Sequence, residues 1–106
     1  MESCPLVAVE NKETVVRCTG INSNDRVVWS RTKGSTVTDA GQCEPLPADC
    51  APVLPDIMDL SRPSADVSTM TITSATRSLF GGATIRCITQ SGATDTGSDS
   101  CQMDVI

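Results

Sequence analysis

Apolar residues in this chain seldom recur at the three-and-four spacing of an amphipathic helix; they alternate with polar residues over short runs bounded by turn-forming ones. No stretch longer than about ten residues keeps a helical period. The pattern predicts an all-β chain.

Leu6 to Val9 reads as a first strand, Glu10 to Glu13 as a turn, and Thr14 to Thr19 as a second strand. On that second strand Thr14, Val16 and Cys18 share one side, and Val15 and Arg17 share the other. After a polar loop from Gly20 to Asp25, Arg26 to Thr32 forms a third strand. Val27 and Trp29 lie on one face of it, with Val28, Ser30 and Thr32 on the opposite face.

The pattern loosens from Lys33 to Pro63, where Pro45, Pro47, Pro52, Pro55 and Pro63 surround Cys43 and Cys50. Only Thr36 to Thr38 and Ile57 to Leu60 read there as short edge strands. Alternation returns from Asp66 to Ser74, with Ser68, Met70 and Ile72 on one side, and again from Ala83 to Thr89, with Ile85, Cys87 and Thr89 together. Gly81-Gly82 marks the turn between them. Ser91 to Ser100 is rich in Gly, Ser, Thr and Asp and reads as a polar loop, and Cys101 to Ile106 as a last strand.

Composition narrows the picture. The chain has 106 residues with six Cys, one Trp, one Phe and neither Tyr nor His. One domain of this size buries roughly 60–70% of its unfolded surface, and with so few aromatics the core must come from Val, Ile, Leu, Met and Ala. Six Cys, without the paired spacing of a zinc site, imply disulfides and an oxidising, extracellular compartment. The net charge of −5 argues against nucleic acid and anionic membranes as partners. The absence of His removes Ser-His and Cys-His nucleophile pairs and most catalytic zinc shells. No segment approaches the roughly 20 apolar residues of a membrane span, and the N-terminus lacks the features of a signal peptide. The chain is therefore expected to be one domain, residues 1–106, of a longer extracellular protein, a secreted one or the ectodomain of a membrane protein.

Cys18 on the second strand, Trp29 eleven residues later, the run Met70-Thr71-Ile72-Thr73-Ser74-Ala75, and Cys87 together resemble an immunoglobulin-superfamily domain over Thr14 to Ile106. The resemblance implies a two-sheet, V-type β-sandwich, because Cys87 follows Cys18 by 69 residues and the stretch from Lys33 to Pro63 has room for extra strands. It further implies that Cys18 and Cys87 bridge the sheets, that Trp29 packs on the bridge, and that Val16, Val27, Met70, Ile72 and Ile85 join it in the core. In a V-type arrangement the first and last strands run parallel, which favours Cys4–Cys101, while Cys43–Cys50 closes the Pro-rich loop; this set is one of fifteen connectivities.

The family's D-x-G-x-Y-x-C corner is absent: Gly81, Ala83 and Ile85 stand where Asp, Gly and Tyr would be. The last strand also lacks F-G-x-G. These departures point to a divergent member, with an invertebrate source as one reading, rather than a vertebrate antigen receptor.

Asp95-Thr96-Gly97-Ser98 matches the aspartic-protease signature, but no apolar strand precedes it and too little chain follows for the rest of a protease subunit. Asp95, Asp99 and Asp104 lack the ligand spacing of a calcium loop, so neither metal nor cofactor is expected. With no defensible carboxylate pair, the chain is not read as an enzyme. The expected working surface is the outward face of the front sheet: Val28, Ser30, Thr32, Thr84, Arg86 and Ile88, with Asp95 and Asp99 from the adjoining loop. The resemblance implies a recognition or adhesion module whose partner is another copy of itself on an opposing cell. The alternative is a soluble, secreted immune-recognition or inhibitory binder.

Overall fold

The computed structural model describes residues 6–45 and 49–106. In chain order the strands are β1 (Leu6–Ala8), β2 (Thr14–Cys18), β3 (Arg26–Lys33), β4 (Thr36–Cys43), β5 (Cys50–Pro52), β6 (Met58–Ser64), β7 (Val67–Ile72), β8 (Thr84–Ser91) and β9 (Thr94–Val105), with one short helix, α1 (Arg77–Phe80), before β8. They form a six-stranded sheet in the order β1-β9-β8-β3-β4-β5 and a three-stranded sheet in the order β2-β7-β6. β1 runs parallel to β9 and every other pairing is antiparallel. This is an immunoglobulin-like β-sandwich of V-type strand order.

The core follows from the period of two along each strand. Val16 and Cys18 from β2, Val27 and Trp29 from β3, Met70 and Ile72 from β7, and Ile85 and Cys87 from β8 all point between the sheets and are buried. Met58, Met70 and Met103 are fully buried beside them. Their unbranched thioethers fill space that a chain poor in aromatics cannot fill with rings.

Two disulfides lie within the described residues. Cys18–Cys87 joins β2 to β8 across the sandwich, with Cα atoms 6.6 Å apart. Cys43–Cys50 ties β4 to β5 across a hairpin, with Cα atoms 4.0 Å apart. Cys101 is also disulfide-bonded. Cys4, expected as its partner, lies outside the described residues.

Several boundaries differ from the sequence reading. Residues 91–100 are not a loop: β8 continues to Ser91, Gly92 and Ala93 turn the chain, and β9 begins at Thr94. Every residue from Ser91 to Ser100 is exposed, so this hairpin carries no apolar side to betray it. Cys101 consequently sits in the second half of β9, not near its start. The segment read as a short edge at Thr36 to Thr38 is an eight-residue strand, whose alternation is broken by a bulge opposite Trp29 and Ser30.

The turn before β8 is built around α1. Phe80 is fully buried, and Arg31 lies over its ring with the guanidinium carbon 5.6 Å from the centroid. Arg31 Nη1 donates to Leu79 O at 2.9 Å, and Lys33 Nζ donates to the carbonyls of Arg77 and Ser78. At the other end of the helix, Arg77 N donates to the Glu10 carboxylate at 2.8 Å. A buried ring and two cations on helix carbonyls thus hold the corner that a Tyr hydroxyl holds in the family pattern.

Candidate functional site

β8, β3 and β4 lie side by side in the front sheet, so their outward residues form cross-strand rows. Val28 stands opposite Ile88, Ser30 opposite Arg86, and Thr32 opposite Thr84. On the other flank of β3 the same residues meet Gln42, Asp39 and Val37 of β4. Alternation brings the six expected β3 and β8 residues onto one face, away from Trp29 and Cys87.

Val28 and Ile88 are half-buried at the centre of this face, and Val37 is 67% exposed at its margin. Around them the groups are polar. Arg26 Nε reaches both carboxylate oxygens of Glu44 at 3.1 Å, and Gln42 Nε2 donates to Glu44 at 2.7 Å. Arg86 is exposed and, among the described residues, its guanidinium has no hydrogen-bond or ion-pair partner. A small aliphatic centre ringed by hydroxyls and one open donor fork suits contact with another protein surface.

The two acidic residues expected with this set part company. Asp95 accepts from Gln90 Nε2 at 2.9 Å, on the side of Ile88, because a bulge between Thr89 and Gln90 returns it to the outward face. Asp99 stands opposite Cys87 and so faces the inner side of the sheet. It lines a cleft of about 150 Å³ with Thr19 and Thr89 over the Cys18–Cys87 bridge. Asp99 therefore shares no face with Arg86.

Three features escaped sequence reasoning. Asp39 lies in a stretch where the bulge disguises the period. Arg62 is 5% exposed and donates to the carbonyls of Asn22, Asp25, Glu44 and Ala65. Burial lowers its pKa while the Asp25 carboxylate pulls it back up. Asp25 is itself 6% exposed and accepts from Thr96 Oγ1 at 2.7 Å, which anchors the β8–β9 hairpin to the β2–β3 loop. Their only sequence signal is charge, which does not distinguish a buried network from a solvated surface.

The Asp95-Thr96-Gly97-Ser98 motif lies in the hairpin, with Asp95 bonded to Gln90 and Thr96 to Asp25 and Thr89. Among the described residues no His, Cys, Asp or Glu side chains gather as a metal site, and no helix is long and apolar enough to cross a membrane.

No protein-family model and no curated protein matches the chain. Solved structures do. A chain from a structure described as the structural basis of T cell specificity and activation by the bacterial superantigen toxic shock syndrome toxin-1 is similar at a TM-score of 0.74 and 15% identity, covering 95% of this chain and 92% of that one. A chicken T cell receptor chain is similar at 0.75 and 17% identity, over 95% of this chain and 46% of its own length. At these identities the likeness is one of fold.

Proposed function

We propose that this chain is an extracellular recognition module of the V-set type that binds protein, and that its partner is a second copy of itself. The pairing surface is the outward face of the front sheet. The observation that carries this reading is the Val28–Ile88 pair, two aliphatics set side by side on a face where a solvated sheet places polar groups. Ser30, Thr32, Thr84 and Arg86, whose guanidinium has no partner among the described residues, surround it and supply a polar rim. The fold shared with a T cell receptor chain supports protein recognition as the class of activity.

Sedimentation velocity over rising protein concentration tests it. The wild-type chain is expected to pass from monomer to dimer, and Ile88→Asp to stay monomeric with an unchanged thermal midpoint. The substitution forces a carboxylate into a desolvated contact but leaves the core untouched. A wild-type chain that remains monomeric in concentrated solution contradicts self-pairing and favours a secreted binder of other molecules.

A further inference from the structure

Resting on the front-sheet reading above, we infer that the second copy docks about a two-fold axis running along β3, so that Arg86 of each copy meets Asp39 of the other. The basis is the row Arg86–Ser30–Asp39. Ser30 pairs with Arg86 on one flank and with Asp39 on the other, so a cation and an anion stand on the same face at the same height, one on each side of β3. With neighbouring strands about 4.8 Å apart, the two Cα atoms are roughly 10 Å from one another.

Both residues are exposed. Asp39 Oδ1 accepts from Gly41 N at 2.9 Å, which turns the carboxylate along its own strand rather than toward Arg86. The row carries opposite charges that do not neutralise each other within the monomer.

An isologous contact places each residue of a patch against its symmetry mate. A two-fold axis in the interface plane and along a strand preserves height, so row meets row. Along β8 it would set Arg86 against Arg86, and along β4 Asp39 against Asp39. An axis across the strands through the Val28–Ile88 row would bring Asp39 against Glu44. Only an axis along β3 exchanges β8 with β4 and opposes Arg86 to Asp39, twice per dimer. It also brings the two Val28 side chains together and lays Ile88 over Gln42, so the aliphatic and charged parts of the face are satisfied at once.

The test is a charge-reversal cycle read by sedimentation velocity. Arg86→Glu and Asp39→Arg alone are each expected to weaken self-association by at least about tenfold, because each sets like charges opposite one another twice. Mixed in equal amounts, the two variants are expected to form a heterodimer, since every acid then faces a base. If Asp39→Arg fails to fold, Asp39→Asn replaces it: the amide keeps an acceptor for Gly41 N while the charge is removed, and self-association must still fall.

A mixture no stronger than the single variants overturns the proposed axis, as does either variant associating like wild type. If Ile88→Asp still abolishes pairing in that case, the front sheet remains the interface and only the axis is wrong. A wild-type chain that never dimerises overturns both.

Discussion

Among the described residues, Ser68 is the one polar side chain at the centre of the apolar interior, fully buried on β7. Its hydroxyl accepts from Trp29 Nε1 at 2.9 Å and donates to Ser61 O at 3.0 Å, so the only indole N–H in the chain is satisfied through it. Ser68→Ala leaves that N–H buried without an acceptor and should cost about 1–3 kcal/mol of stability in urea unfolding. A change within a few tenths would mean the indole finds another partner. Residues of this kind divide by legibility. Trp29, Cys18, Met70 and Ile85 were readable because each sits in an unbroken period of two that fixes its face. Phe80 was not, since it lies in a four-residue helix with no period of its own, although it is the sole Phe. Asp39 was hidden by the bulge that shifts β4 against β3 by one residue.

Among the elements, the β8–β9 hairpin departs furthest from its sequence pattern. Thr94 to Ser100 pair with β8, with one bulge at Thr96, yet carry no apolar residue. Alternation reports burial, not strand conformation, so a hairpin exposed on both faces reads as a loop. Its attachment to the body runs through Thr96, whose hydroxyl donates to the buried Asp25 carboxylate. Removing that hydroxyl in Thr96→Val should speed amide exchange in the hairpin while leaving Trp29 and Cys87 as protected as before, because the opening is local. Faster exchange throughout would show that the hairpin and the core open together. β4 makes a related point at Gly41, whose φ is +115°. A Cβ there would meet Ala51 O and lie 2.9 Å from Pro52 Cα, so glycine lets β5 approach and close the sheet edge.

For the whole molecule, the six-stranded sheet offers a face with an aliphatic centre and ordered opposite charges, while the other sheet shows a plainer mixture such as Val15, Arg17, Thr69 and Thr71. The architecture was legible because Cys18, Trp29 and Cys87 carry a family spacing on strands with a clear period. The face was legible in its β3 and β8 halves, where alternation is unbroken, and not in its β4 half. A net charge of −5 opposes any self-association at long range, so pairing must come from short-range contacts on that face. Nuclear magnetic resonance on dilution tests self-pairing through it most directly. As concentration falls, the amide signals of Val28, Ser30, Arg86, Ile88 and Asp39 are expected to shift together along one dimer-to-monomer curve, while those of Val15, Arg17, Thr69 and Thr71 stay fixed. Signals that do not move with concentration, or that move on the three-stranded sheet instead, would contradict the account.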